Sequence, residues 1–289
     1  MRILLFGRNG QLGWELHRTL PTLGDLIVVD YPEVDFNRPQ TLPEIVRRAR
    51  PDVIINAVAY TNVDKAESEP EIVRRVNADA VGEIARATRN LGALLVHIST
   101  DYVFDGRKGS PYVETDAPNP LGVYAASKRE AEELILQAGC AHLTLRTAWL
   151  YSLRGDNFVL KVLKWARSNP ILRLAADQVG NPTAAGNLNR MIIQLLQQPL
   201  KFLEEHRGVY HLAGDGFASR YELGLEILKA DPHPEEQLVQ SVLPASTVDF
   251  PAQAERPLNT ALECSLFRRT FGFGLPPWAE GVKQTLQGV

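Results

Sequence analysis

Arg2-Ile-Leu-Leu-Phe6-Gly7-Arg-Asn-Gly10-Gln-Leu-Gly13, at the beginning of the sequence, is the segment that is most informative about the fold. A short apolar run of strand length leads directly into glycines with the spacing GxxGxxG, and residues 11–20 have a helical pattern. Such glycines allow a tight turn, close approach of the backbone to a pyrophosphate, and close helix–strand packing, while the helix N-terminus favours an anion. The motif therefore predicts a dinucleotide site, with a purely structural turn as the alternative. The motif residues predicted to bind the cofactor are Gly7, Gly10 and Gly13.

Four further apolar segments of strand length follow, at residues 26–30, 52–56, 93–98 and 142–146. Stretches of helical periodicity separate them, at residues 42–50, 71–91 and 124–137. Strands that are apolar on both faces and separated by helices indicate a parallel sheet covered on both sides. Since crossovers of this kind are right-handed, we expect an α/β protein with a doubly wound (Rossmann-type) parallel sheet.

After residue 149 the alternation of strands and helices becomes less regular. Helices are predicted at 157–167, 186–198 and 220–228, and short strands at 172–174 and 209–212. Residues 231–257 are rich in Pro, Gln and Ser, which indicates loop with short elements. The expected division is a dinucleotide-binding domain at 1–150 and a smaller C-terminal lobe at 151–289, mainly substrate-binding, with some of its segments packing back on the core.

The composition is that of a globular protein, with 45% hydrophobic and 22% charged residues among 289. A net charge of −3 argues against a broad basic surface, so no nucleic-acid partner is expected. No apolar run approaches the roughly 20 residues of a membrane span, and the start lacks the features of a signal peptide. Cys140 and Cys264 form no CxxC pair, and no His/Cys cluster has the spacing of metal ligands. We expect a cytoplasmic protein with no membrane partner.

Two charged residues near the glycine turn bear on the choice of cofactor. Asp30 follows the second strand, where an acid hydrogen-bonds the adenosine ribose hydroxyls and disfavours a 2′-phosphate. Arg8, inside the glycine turn, could instead pair with that phosphate, or be a solvated loop charge. The sequence leaves NADPH and NADH both open.

Tyr124 and Lys128 are four residues apart, which places both on one face of a helix. A tyrosine with its ordinary pKa of about 10 transfers protons poorly at neutral pH, and a nearby ammonium lowers that pKa. Because YxxxK is common by chance, the alternative is a surface tyrosine beside a solvated lysine. Together with a dinucleotide site, the pair predicts proton transfer during hydride chemistry.

The run His97-Ile-Ser-Thr100-Asp101-Tyr-Val-Phe-Asp-Gly106 ends the fourth strand, at the sheet edge where open α/β sheets bind ligands. Thr100 can donate a hydrogen bond to a carbonyl oxygen that is about to receive a proton. Asp101 can accept from a sugar hydroxyl, and its alternative role is a turn or N-cap aspartate.

These motifs in combination resemble the extended short-chain dehydrogenases/reductases and, within them, the 4-keto nucleotide-sugar reductases that complete dTDP-L-rhamnose synthesis for cell-wall polysaccharide. The resemblance covers nearly the whole chain. The other matching segments are Asn56-Ala-Val-Ala59-Tyr-Thr61, Val63-Asp-Lys-Ala-Glu-Ser-Glu-Pro70, Arg146-Thr-Ala-Trp149, Asp177-Gln-Val-Gly-Asn-Pro-Thr183 and Arg256-Pro-Leu-Asn259.

The resemblance implies NADPH- or NADH-dependent reduction of the C4 ketone of dTDP-4-dehydro-6-deoxy-L-mannose. It implies Tyr124 as proton donor, Lys128 as its activator and a nicotinamide-ribose ligand, and Thr100 as hydrogen-bond partner of the carbonyl. The resemblance also implies Gln11 and Leu12 at the pyrophosphate, beside Gly10. The other implied cofactor contacts are Asp30, Asp35, Phe36, Ala59, Tyr60, Thr61 and Tyr124 itself. The implied substrate contacts are Thr100, Asp101 and Trp149, with Arg256 expected at the diphosphate, although Trp149 could instead be a core aromatic.

The family is also associated with Mg²⁺ held by glutamates at a dimer contact. Glu15 is available here, but residues 184–198 contain no acid, and neither does Gly288-Val289. The sequence therefore argues against a metal-bridged dimer and leaves a homodimer without metal open.

Two other functions remain as alternatives. The first is a nucleotide-sugar epimerase or 4,6-dehydratase, which would keep NAD bound; the dehydratases follow the Thr-Asp pair with a glutamate, whereas Tyr102 occupies that position here. The second is a non-catalytic regulatory subunit resembling methionine adenosyltransferase β, which shares a similar run at residues 99–106.

Overall fold

The computed structural model describes residues 1–288 and has a six-stranded parallel sheet at its centre. The strands in chain order are β1 (Arg2–Phe6), β2 (Asp25–Val29), β3 (Val53–Asn56), β4 (Leu94–Thr100), β5 (Ala141–Thr147), β6 (Leu150–Tyr151), β7 (Ile171–Ala175), β8 (Val179–Gly180), β9 (Thr183–Ala184), β10 (Gly208–His211), β11 (Ala218–Ser219) and β12 (Ser241–Ala245). The central sheet has the order β10-β5-β4-β3-β1-β2, with every neighbouring pair parallel. The chain thus starts one strand from an edge of the sheet, adds β2 at that edge, and then crosses over to add β3, β4, β5 and β10 in the other direction.

Helices cover both faces of this sheet. They are α1 (Gln11–Thr19), α2 (Leu42–Ala49), α3 (Val63–Ala66), α4 (Pro70–Arg74), α5 (Ala80–Leu91), α6 (Val123–Ala138), α7 (Phe158–Ala166), α8 (Ala185–Leu196), α9 (Leu200–Glu205), α10 (Arg220–Ala230), α11 (Ser265–Phe271) and α12 (Trp278–Gln287). A π-helical turn at Arg75–Asp79 joins α4 to α5, so residues 70–91 form one interrupted helix.

Alternate side chains of β1 enter two different hydrophobic clusters. Ile3 and Leu5 pack with residues of α1, α8 and α11 on one face. Leu4 and Phe6 pack with residues of α2, α5 and α6 on the other face. A strand buried on both faces has no polar alternation, which explains the continuous apolar run in the sequence. The predicted α/β class with a doubly wound parallel sheet is confirmed.

The C-terminal half of the chain contributes to two regions. Helices α7, α10 and α12 surround a separate cluster that includes Tyr151, Ile227 and Val282. By contrast, β10 extends the central sheet beside β5, and α8 packs against α1. The 231–257 segment contains β12, which pairs in parallel with β7. Within the described residues, every helix falls short of the length and hydropathy that a membrane span requires.

Candidate active site

A cleft of about 790 Å³ lies at the carboxyl ends of β1, β3, β4 and β5, between the central sheet and residues 149–158. Parallel strands bring their ends to one edge of the sheet, so residues far apart in sequence meet there. The predicted site residues that line the cleft are Gly10, Gln11, Leu12, Ala59, Thr61, Thr100, Asp101, Tyr124, Lys128 and Trp149. Those outside its lining are Gly7, Gly13, Asp30, Asp35, Phe36, Tyr60 and Arg256.

The three glycines of the turn have different physical roles. Gly7 has φ +92°, and a Cβ there would lie 2.8 Å from the Val58 side chain. A Cβ on Gly13 would lie 1.8 Å from the carbonyl oxygen of Gly7, so α1 could not pack as it does. A Cβ on Gly10 would have 3.7 Å to its nearest neighbour. Packing therefore requires the first and third glycines, whereas Gly10 leaves open space in the cleft that fits a pyrophosphate.

Asp30 connects the end of β2 to the glycine turn. Its carboxylate accepts hydrogen bonds from the backbone N–H groups of Asn9 and Tyr31, each at 2.8 Å. Arg8 forms an exposed ion pair with Glu33 at 3.6 Å. Both residues predicted to affect the cofactor choice thus lie beside the turn but already have protein partners.

The two residues expected near adenine are placed differently from each other. Phe36 is buried in the hydrophobic core, where its ring meets that of Phe6 edge to face at 5.5 Å between centroids. Asp35 faces solvent more and pairs with Arg38 at 3.8 Å. The contacts of Phe36 are those of a core residue.

Tyr60 and Arg256 also have partners within the protein. The Tyr60 hydroxyl donates to Glu69 at 2.6 Å, and its backbone lies beside the cleft-lining Ala59 and Thr61. Arg256 pairs with Asp64 at 2.8 Å. In this conformation the guanidinium of Arg256 is occupied by a carboxylate and lies away from the cleft lining.

Lys128 is a buried residue of α6 at the floor of the cleft. Its Nζ donates to the backbone oxygen of Ile98 at 2.7 Å and lies 3.2 Å from Nε2 of His97. Burial lowers the pKa of Lys128 to about 8, against the opposing charge of Glu132. The ammonium is thus fixed by the end of β4.

Tyr124 lies one helical turn before Lys128 and faces the same cleft. Burial raises the pKa of its hydroxyl, while a hydrogen bond with Thr100 acts in the opposite direction. The sequence suggested that Lys128 lowers this pKa; in the structure the pKa of Tyr124 is raised instead, and Nζ of Lys128 donates to Ile98. The phenol therefore retains its proton at neutral pH, which is the state that a proton donor needs.

Thr100 and Asp101 lie at the carboxyl end of β4. The Thr100 hydroxyl donates to Oδ1 of Asp101 at 3.1 Å, and the Thr260 hydroxyl donates to Oδ2. Burial raises the pKa of Asp101 to about 6, although these hydrogen bonds and Arg220 oppose the shift. Asp101 is thus a buried acceptor with weakened acidity at the cleft wall.

Trp149 forms part of the cleft wall in a constrained conformation. Its backbone has φ +44°, which is rare for a residue with a side chain. A Cβ on Gly180 would lie 2.6 Å from the indole, and the Arg220 guanidinium lies 3.5 Å from the centre of the ring. The contact with Arg220 was missing from the sequence analysis, because no local pattern connects the two residues.

Among the described residues of this chain, no three glutamates lie close enough together to hold a magnesium ion. Among residues 1–288, the one group of three or more ligand-type side chains within metal-binding distance is the exposed set of His233, Glu235 and Glu236. Glu15 is not in that set, and Arg190 of α8 contacts Asn187 and Gln284. The expected absence of a metal-bridged dimer stays a prediction.

Comparison with known proteins assigns the family. The model of the RmlD substrate binding domain matches residues 1–289. The dTDP-4-dehydrorhamnose reductase of Burkholderia thailandensis is 39% identical, with 98% of this chain and 97% of the relative covered. The enzyme of the same name from Escherichia coli K12 is 39% identical, with 99% and 97% covered.

Solved structures agree with this assignment. The dTDP-4-dehydrorhamnose reductase of Bacillus anthracis, in complex with NADP, superimposes with a TM-score of 0.90 at 32% identity and covers 100% of this chain and 99% of its own. The Clostridium acetobutylicum orthologue gives 0.91 at 31% identity, with 99% of each chain covered. The resemblance seen in the sequence is confirmed, and the chain belongs to the RmlD family of dTDP-4-dehydrorhamnose reductases.

Proposed function

We propose that this protein is an oxidoreductase that reduces the C4 ketone of dTDP-4-dehydrorhamnose to give dTDP-L-rhamnose, with NADPH or NADH as reductant. One observation carries the proposal. Tyr124, Lys128 and Thr100 line the same cleft as the glycine turn, so a proton donor faces the position where a dinucleotide's nicotinamide would lie. Membership of the RmlD family supports dTDP-4-dehydrorhamnose as the substrate.

The bound dinucleotide would supply a hydride to C4 of the sugar. Gly10, Gln11 and Leu12 would hold its pyrophosphate at the N-terminus of α1, which no side chain of the described residues caps. Lys128, fixed at the end of β4, would contact its nicotinamide ribose. The open space at Gly10 and the position of Lys128 fit a dinucleotide that lies across the carboxyl edge of the sheet.

The remaining chemistry belongs to the protein's own side chains. Tyr124 donates the proton of its hydroxyl to the carbonyl oxygen, while Thr100 donates a hydrogen bond to the same oxygen. Asp101 accepts from a sugar hydroxyl, and the Trp149 ring packs against the sugar. Because Gly180 and Arg220 hold that ring, the wall is positioned before the substrate arrives.

The choice between NADPH and NADH depends on Asp30 and Arg8. The Asp30 carboxylate, which is hydrogen-bonded to the glycine turn, would accept from ribose hydroxyls, and this favours NADH. Arg8 is exposed enough to leave Glu33 for a 2′-phosphate. We propose that these two residues set the preference; an increase in the ratio of NADPH to NADH activity in Asp30→Ala would support this.

The alternative functions have less support. The epimerase and dehydratase alternatives gain only the fold from the UDP-glucose 4-epimerase of Thermus thermophilus, since that structure is 19% identical. Tyr102 also occupies the position where the dehydratases have a glutamate. A regulatory subunit would have no need of the Tyr124, Lys128 and Thr100 arrangement.

The decisive experiment adds enzymatically generated dTDP-4-dehydrorhamnose to the purified protein and follows oxidation of NADPH and of NADH at 340 nm. Formation of dTDP-L-rhamnose with consumption of one reductant per product is the expected result. Turnover without added reductant, by protein that copurifies with NAD⁺, would instead support an epimerase.

Both described cysteines are free thiols, and we propose that the reaction takes place in the cytoplasm.

A further inference from the structure

The loop of residues 152–157 joins β6 to α7 and is bound to the first turn of α1 through Gln11. Oε1 of Gln11 accepts hydrogen bonds from the Ser152 hydroxyl and from Nδ2 of Asn157, each at 3.0 Å. Nε2 of Gln11 donates to the backbone oxygen of Leu150 at 3.3 Å. These contacts join a loop of the C-terminal half to the glycine turn and hold it beside the cleft.

The backbone of Arg154 is fixed within this loop. Its N–H donates to the Ser152 hydroxyl at 3.1 Å, and its carbonyl oxygen accepts from Asn157 at 3.1 Å. The side chains of Ser152 and Asn157 thus form hydrogen bonds with both Gln11 and Arg154. Arg154 is therefore placed by a network that starts at the N-terminus of α1.

The side chain of Arg154 packs on an aromatic ring of α1. Its guanidinium carbon lies 4.5 Å from the centre of the Trp14 ring, and that of Arg18 lies 4.4 Å from the same ring. The backbone N–H of Trp14 donates to the oxygen of Gly10 at 3.0 Å, so the ring belongs to the turn that follows the glycines. The stacked guanidinium is consequently held against the first turn of α1, and Arg154 lines the same cleft as Gly10.

Charge distinguishes Arg154 from the other residues of the cleft. Of the described residues that line it, only Lys128 and Arg154 are cations. Lys128 is buried and bound to Ile98, at the opposite end of the proposed dinucleotide site. Within residues 1–288, Arg154 has no carboxylate within ion-pair distance, and the neighbouring Asp156 pairs with Lys161 at 2.9 Å.

We propose that Arg154 is a cofactor-binding residue that contacts the diphosphate of the nicotinamide dinucleotide from the C-terminal lobe. This inference rests on the proposed function, because it requires a dinucleotide in the cleft. A diphosphate carries negative charge that the N–H groups of α1 offset only partly, and the planar guanidinium matches two phosphate oxygens. Binding would thus bring the 152–157 loop and the glycine turn onto one ligand.

The test measures dissociation constants of NADPH, NADH and dTDP with wild type, Arg154→Gln and Arg18→Gln, without the sugar substrate. Arg18→Gln is the matched control, since Arg18 contacts the same ring but does not line the cleft. For Arg154→Gln we expect Kd to rise about tenfold or more for both dinucleotides, equally, and to be unchanged for dTDP. Arg154→Lys, which keeps the charge without the planar fork, should recover part of the affinity.

Three results would overturn the assignment. Unchanged affinity of Arg154→Gln for both dinucleotides would remove Arg154 from the site. Weaker binding of NADPH alone would place Arg154 at the 2′-phosphate. Weaker binding of dTDP alone would place it at the sugar nucleotide. Melting temperatures of the variants show whether the fold is intact. Failure of the proposed function is distinguishable, because wild type itself would then fail to bind dinucleotide or to reduce the sugar.

Discussion

Nζ of Lys128 lies 3.2 Å from Nε2 of His97, and the surrounding hydrogen bonds indicate which nitrogen of the His97 ring carries the proton. Oδ1 of Asn56 accepts from the backbone N–H of Val58, so Nδ2 of Asn56 faces Nδ1 of His97 as a donor. The neutral ring then carries its proton on Nε2, directed at Lys128. An N–H group directed at Nζ disfavours the charged ammonium, in the same direction as the burial that lowers the pKa of both groups. With a pKa of about 8, Lys128 is nevertheless mostly a cation at pH 7.

The first prediction concerns the stability of Lys128→Met. The pKa of Lys128 is lowered from its ordinary value of 10.5 to about 8 in the folded protein. The unfolded chain therefore binds more protons between pH 8 and 10.5, and wild-type stability gains from Lys128 as pH rises through that window. The difference in unfolding free energy between variant and wild type should shift by up to about 3 kcal/mol in favour of wild type from pH 7 to 10.5.

Denaturant titrations of both proteins at several pH values measure this difference. The loss of the hydrogen bond to Ile98 lowers the unfolding free energy of the variant by an amount that does not change with pH. A difference that stays flat from pH 7 to 10.5 would show that Lys128 keeps its ordinary pKa when folded. Reductase activity of the variant should be lost at every pH.

The second prediction concerns Tyr124→Phe. The change removes the hydroxyl that would donate the proton and leaves the ring in place, so kcat should fall by about 10²- to 10⁴-fold. The Kd for NADPH should change little, since Lys128 and the glycine turn are unaffected. Steady-state kinetics and cofactor fluorescence measure the two quantities. Wild-type turnover in the variant would exclude Tyr124 as the donor.

The third prediction compares two glycines of the turn. Gly10 has φ −72° and room for a Cβ, so Gly10→Ala should keep the melting temperature and weaken NADPH binding. Gly13→Ala should destabilise the fold by roughly 1–3 kcal/mol, because its Cβ would collide with the oxygen of Gly7. Thermal unfolding and cofactor titration of the pair separate the two roles. Equal destabilisation by both changes would contradict them.

The central sheet could be predicted from the sequence because its strands are buried on both faces. The segments predicted at 2–6, 26–30, 52–56, 93–98 and 142–146 agree with β1 to β5 to within two residues at each end. β12 was not predicted as a specific element. Its five residues alternate little in burial and include Pro244, and the strand forms by pairing with β7, which no local pattern shows.

The candidate site was predictable only where a residue type itself indicates chemistry. Glycines at fixed spacing, the YxxxK pair and the Thr-Asp strand end have such a signal, and all three reach the cleft. Arg154 and Arg220 have none, since their importance comes from contacts with Trp14 and Trp149. The hydrogen bond from Ser152 to Gln11 spans 141 residues and exists only once the chain is folded.

The last prediction concerns activity at low pH. Burial raises the pKa of Asp101 from 3.8 to about 6, so its carboxylate is lost as pH falls through 6. Protonation removes an acceptor for the sugar hydroxyl, while Tyr124, whose pKa is raised, stays protonated throughout this range. The kcat/KM for the sugar nucleotide should therefore decline below pH 6 with the slope of one proton. Asp101→Asn should have a lower kcat/KM that is constant between pH 5 and 7; a decline that persists in this variant would assign the titration to another group.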